Sequence, residues 1–168
     1  MYLRYLSKRE SRELLEKLKK DFKLVQEFDH IIVSETVLKD KKIKIYIGVS
    51  STEKIPLAID LVEEFIPAIH ALNKDLMKIN YVKIDQGALP RILNGADVMA
   101  PGIVETSDFK INDLVGIREF ERSLYIAVGK ALMSSEEIRL LRRGKAVKTI
   151  HYAGDIIWRN IIDILKKI

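Results

Sequence analysis

A chain of 168 residues, 48% hydrophobic and 32% charged, has room for one ordinary domain or two small ones and the composition of a globular protein. The absence of cysteine excludes a disulfide framework, thiolate metal sites, iron–sulfur clusters and thiol nucleophiles, and three histidines, His30, His70 and His151, leave little imidazole chemistry. Lys and Arg number 29 against 24 Asp and Glu, a formal charge of +5 that permits an anionic partner without requiring one. No apolar run approaches the roughly 20 residues that cross a bilayer, and the opening MYLRYLSKRE lacks the apolar stretch of a signal peptide. A cytoplasmic protein with no membrane partner is expected.

In chain order, Ser7-Lys-Arg-Glu10 fits a capping box, and Leu14, Leu15, Leu18 and Phe22 recur at helical spacing, so a helix is expected from about Lys8 to Lys20. His30 to Thr36 reads as a strand. Lys42 to Val49 then alternates strictly, with Ile43, Ile45, Ile47 and Val49 on one face and Lys42, Lys44 and Tyr46 on the other. Ile55 to Leu61 reads as a third strand, followed by a helix that Pro67 opens and that runs to Asn73. One long helix over 56–73 is disfavoured, because an internal proline costs about 3 kcal/mol.

A boundary falls near Asn73 to Ile79, after which seven of the eight glycines lie. Tyr81 to Asp85 reads as a strand, Gly87 to Leu93 as a short helix, and Gly95 to Val104 as turn and strand interrupted by Pro101-Gly102. Leu114 to Phe120 and Leu124 to Leu132 read as a hairpin joined by Glu121-Arg122-Ser123. Ser134-Ser-Glu-Glu opens a capped helix that Gly144 closes. Ala146 to Tyr152 and Asp155 to Arg159 read as final strands, the second passing into a closing helix on which Ile157, Ile161, Ile164 and Ile168 form a stripe.

No metalloprotease helix, P-loop, nucleophile elbow or dinucleotide glycine signature occurs, so no catalytic residue, metal ligand or cofactor site is assigned. His70 reads as a packing or surface residue. Glu63-Glu64 and Glu136-Glu137 read as helix-start acids, where they complement the positive end of the dipole. Arg139 to Lys148 places five cations in ten residues with no acid, either a solvated surface or a phosphate-contacting one.

The informative stretch is Val82-Lys-Ile-Asp-Gln-Gly-Ala-Leu-Pro-Arg-Ile-Leu-Asn-Gly-Ala-Asp-Val-Met-Ala-Pro-Gly-Ile103. With Tyr125-Ile-Ala-Val-Gly129, Ser134-Ser-Glu-Glu, Gly144 and Ile150-His-Tyr-Ala-Gly-Asp155-x-x-Trp158, it resembles the PUA domain, the RNA-binding fold named after pseudouridine synthases and archaeosine transglycosylases. The closing stretch and the Met99-x-Pro-Gly turn look most like the group of the malignant T-cell-amplified protein, a eukaryotic translation factor, and its archaeal relatives. The amino-terminal part resembles the small domain preceding PUA in that group, much less specifically. The implied fold class is α+β: a small amino-terminal α/β module over 1–78 and a PUA-like β-pseudobarrel over 79–168, closed by the carboxy-terminal segment.

The resemblance implies a non-enzymatic RNA-binding protein of the translation apparatus, holding tRNA or small-subunit rRNA during initiation or recycling. The partners it implies are structured RNA, the small ribosomal subunit and an initiation-factor-like protein, with no cofactor. An accessory to a separate tRNA or rRNA modification enzyme, or a protein–protein adaptor, are the alternatives. The candidate RNA-binding residues are Gln86, Gly87, Ala88, Arg91, Asn94, Gly95 and Ala96, with Arg139, Arg142, Arg143, Lys145, Lys148 and Arg159. Gly87, Gly95 and Gly102 have a purely conformational reading too, since glycine at a helix edge serves both backbone geometry and close approach of a ribose–phosphate chain. His151 and Trp158 read as packed. Pro90 in the first helical turn points Arg91 away from the Leu89, Ile92 and Leu93 stripe, towards solvent beside the glycine turn.

Overall fold

The computed structural model describes residues 1–168, which form two compact units, 1–78 with 160–168, and 79–159. The fold class is α+β, as the sequence implies. The last nine residues, which the sequence pattern attaches to the second domain, group with the first unit.

The first unit contains β1 (Tyr2–Tyr5), α1 (Lys8–Phe22), β2 (His30–Leu38), β3 (Lys41–Val49), β4 (Lys54–Asp60), β5 (Phe65–Pro67) and α2 (Ile69–Asn73). Its strands form an antiparallel sheet in sequential order, with Ile43, Ile45 and Ile47 buried as their alternation requires. The capping box is present: Ser7 Oγ accepts from the Glu10 amide at 3.2 Å and the Glu10 carboxylate accepts from the Ser7 amide at 2.8 Å. Glu10 also binds Arg4, and these contacts lower its pKa to about 2, the Arg4 hydrogen bond contributing most. Ser7→Ala is expected to cost about 1 kcal/mol, measurable by urea denaturation.

One strand here has no counterpart in the sequence reading, and two local expectations fail. β1 carries no alternation long enough to signal a strand; it exists because β2 offers it an edge, Tyr2 opposite Glu35 through Tyr5 opposite Ile32. Pro67 ends β5 instead of opening a helix, on an edge strand where a missing amide does not interrupt the ladder. Glu63-Glu64 lies in the turn between β4 and β5, closed by the Leu61 amide donating to the Glu64 carbonyl at 2.8 Å, so this pair caps no helix.

The second unit contains β6 (Asn80–Ile84), α3 (Leu89–Ile92), β7 (Val98–Met99), a 3₁₀ turn (Ala100–Gly102), β8 (Ile103–Thr106), β9 (Leu114–Arg118), β10 (Tyr125–Ala131), α4 (Ser135–Leu141), β11 (Lys145–Tyr152) and the first residues of α5 (Ile156–Lys167). Six strands in the order β7-β11-β10-β9-β6-β8 curl into a nearly closed pseudobarrel, and β6 beside β9 is the one parallel pair. Val82, Ile84, Val115, Ile117, Ala127 and Val147 fill its centre. Ser134 caps α4 as expected, but Arg142 adopts the left-handed conformation that ends it (φ 50°), and Gly144 (φ 89°) turns the chain into β11.

The segment read as a strand from Asp155 to Arg159 is instead the start of α5, which begins at Ile156 directly after Asp155. Gly154 (φ 93°) reverses the chain, and the Asp155 carboxylate accepts from the amides of Tyr152 (3.1 Å) and Trp158 (2.8 Å) and faces His151 Nδ1 at 2.8 Å. Burial disfavours the Asp155 charge, but His151 and the two amides outweigh it and hold the carboxyl below its ordinary range. A depressed folded-state pKa contributes stability above the unfolded value, near 3.9, and loses it as pH falls through the folded value. The stability difference between wild type and Asp155→Asn should therefore be largest near neutrality and shrink below about pH 4, read by thermal melts across pH.

Candidate nucleic-acid interface

The glycine-rich stretch builds one wall of an open groove of about 340 Å³, lined by Asp85, Gly87, Ala88, Arg91, Ile92, Asp97, Met99, Pro101 and Gly102. Two turns meet there. The Asp85 carboxylate accepts from the Ala88 amide at 2.9 Å, starting α3, while the Asp85 amide donates to the Gly102 carbonyl at 2.9 Å. A Cβ on Gly102 would stand 3.1 Å from that of Ala88, so the two turns approach too closely for larger residues. After α3, Gly95 takes φ 91° with the Tyr152 ring beneath it, and the Ala96 amide donates back to the Arg91 carbonyl at 3.0 Å.

Strand β11 runs beside this turn and brings the basic run with it. Lys145 stands opposite Met99 in register and its ammonium lies 3.7 Å from Asp97. Thr149 donates its amide to Asp97 (3.1 Å) and its hydroxyl to the Ala96 carbonyl (2.8 Å). Tyr152 then lies against Gly95. Lys148, between Lys145 and Thr149 on the same strand, is exposed. Arg91 is exposed on the groove wall, and its guanidinium has no partner within the protein.

The remaining candidates are dispersed. Gln86 is exposed and donates to Glu121 at 2.8 Å, and Asn94 is exposed in the turn after α3. Arg139 is held by Asp108 at 2.7 Å, away from the glycine turn, and Arg142 donates back to the Arg139 carbonyl. Arg143 is exposed just before Gly144, whose carbonyl accepts from Ala100 at the groove. Arg159 is exposed on α5, its guanidinium near the Asp155 carbonyl. His151 is fully buried, as expected.

Asp97, Thr149 and Tyr152 escape the sequence reading of the site. Asp97 ties β11 to the glycine turn across 52 residues, and only the pairing of β11 with β7 reveals it. The groove combines the unpaired guanidinium of Arg91, small side chains and the 44%-exposed apolar Met99, with Lys145 drawn to its edge by Asp97. That set accommodates a phosphate backbone on its cationic rim and an unstacked base against its apolar wall.

The pseudobarrel with this groove is the architecture of an RNA-binding PUA domain, and residues 80–153 match the PUA domain family. An uncharacterised protein of Methanocaldococcus jannaschii is 35% identical over 92% of this chain and 93% of its own length. Translation machinery-associated protein 20 of Eremothecium gossypii is 30% identical over 88% of this chain and 86% of its own. A crystal structure of a hypothetical protein from Pyrococcus horikoshii matches with a TM-score of 0.76 and 33% identity, covering 95% of this chain and 99% of that one. The chain belongs to the PUA-domain family. Its relatives there include proteins named translation machinery-associated protein 20 and malignant T-cell-amplified sequence 1.

Proposed function

We propose that this protein binds structured RNA, tRNA or small-subunit rRNA, within the cytoplasmic translation apparatus, in initiation or recycling, and acts by binding without catalysis. The observation that carries this reading is the placement of β11 along the glycine turn. The unpaired Arg91 then lines a groove built largely of small side chains, Asp97 draws Lys145 to its edge, and Lys148 is exposed further along the same strand. The relatives named as translation machinery-associated support the cellular setting, and the small ribosomal subunit and an initiation-factor-like protein are the partners this setting implies. Gln86, Gly87, Ala88, Asn94, Gly95 and Ala96 form the backbone-facing rim, with Arg143 and Arg159 as outlying cations.

Binding should weaken steeply with salt, the log–log slope counting the phosphates neutralised. Arg91→Ala is expected to reduce affinity for tRNA by roughly 1–3 kcal/mol at fixed salt, with an unchanged melting temperature, because its guanidinium holds nothing inside the fold. Salt-independent binding, or Arg91→Ala binding like wild type, defeats the placement. RNA recovered after incubation with the protein should carry no new modified nucleoside by mass spectrometry; a modification abolished by one side-chain substitution would overturn the binding-only reading.

A further inference from the structure

The carboxy-terminal end of α4 presents a surface that phosphate contact does not explain. Leu140 is 76% exposed and Leu141 53%, on a seven-residue helix whose buried side is Ser135 and Ile138. They are flanked by Arg139, Arg142 and Arg143. Asp108 neutralises Arg139, whereas Arg142 and Arg143 have no carboxylate partner. Polyanionic RNA would pair with the arginines but leave the leucines in water, and a neutral apolar partner would bury two unpaired cations.

We propose that this face docks an acidic amphipathic segment of a protein partner, its apolar side covering Leu140 and Leu141 and its carboxylates meeting Arg142 and Arg143. Both features of the face are then satisfied by one ligand, since a helix with a leucine stripe bordered by Glu and Asp is complementary in shape and sign. Leu140 and Leu141 share no residue with the lining of the groove at Arg91, and Arg143 borders both surfaces.

The probe is a synthetic acidic amphipathic helical peptide of about 18 residues, leucine on one face and glutamate on the other. A scrambled peptide of the same composition is the control, and fluorescence anisotropy at low salt the readout. The intact chain should bind the probe and not the scrambled control. Leu140→Ser with Leu141→Ser, and separately Arg142→Glu with Arg143→Glu, should each weaken probe binding about tenfold or more. The serine pair should leave tRNA affinity within about twofold and the melting temperature unchanged, as expected for exposed positions, while Arg91→Ala should leave probe binding intact. Absence of probe binding overturns the proposal, as does binding that the serine pair does not weaken. Loss of tRNA binding in the serine pair assigns the face to RNA instead. Concentration-dependent self-association of wild type, abolished in the serine pair, assigns it to a second copy of the chain.

Discussion

Gly95→Val is expected to destabilise the protein by about 2–3 kcal/mol and lower its melting temperature by roughly 5–10 °C. The reason is local and double. Gly95 has φ 91°, a conformation that β-branched residues adopt only under strain, and a Cβ there would stand 3.2–3.5 Å from the Tyr152 ring. Because Tyr152 ends β11, relief of that contact must disturb the strand that carries Lys145 and Lys148. Gly87 supplies the contrast. It does not have positive φ, and an added Cβ would meet only Asp85 Oδ1 at 3.5 Å, an ordinary contact. Gly87→Ala should melt within about 0.5 kcal/mol of wild type, so any loss of RNA binding there reports close approach of the nucleic acid. Calorimetry and tRNA binding on both variants separate the two uses of glycine in this turn. A Gly95→Val protein as stable as wild type would show that neither the backbone nor the ring constrains the site.

Combining Arg91→Ala, Lys145→Ala and Lys148→Ala should reduce tRNA affinity by more than about 100-fold at fixed moderate salt and flatten the salt dependence by about 0.7–0.9 per lost phosphate contact. All three side chains are exposed, and the one internal bond lost is the long Lys145–Asp97 pair, so the fold should persist. Arg142→Glu with Arg143→Glu is the comparison. It places four units of charge change on a neighbouring surface and should weaken RNA binding through long-range repulsion that salt screens. If that variant abolishes binding at high as well as low salt while the triple alanine variant binds like wild type, RNA lies on the end of α4 and the groove is not its site.

Much of the fold was legible in the sequence wherever the signal is local. The capping box at Ser7, the Ser134 cap, the strict alternation of β3 and the β9–β10 hairpin each follow from residues close in sequence, because side-chain period and cap chemistry act over a few positions. The resemblance carried by Val82 to Ile103 added the pseudobarrel, and the placement of Pro90 at the start of α3 left Arg91 in solvent as its spacing implied. Tertiary structure decided what depends on a neighbour distant in sequence. Pro67 became an edge strand because Ala58 lies opposite it, and Tyr2–Tyr5 a strand because β2 needed a partner. Asp155 became the start of a helix because its carboxylate gathers two amides and His151 after the reversal at Gly154. The same holds for the site. A run of five cations from Arg139 to Lys148 reads as one basic surface, yet Asp108 holds Arg139, Asp97 draws Lys145 to the groove, and Leu140 and Leu141 stand exposed among the rest. Charge along a chain records how many cations are present; only the carboxylates that folding brings to them determine which remain free to meet a ligand.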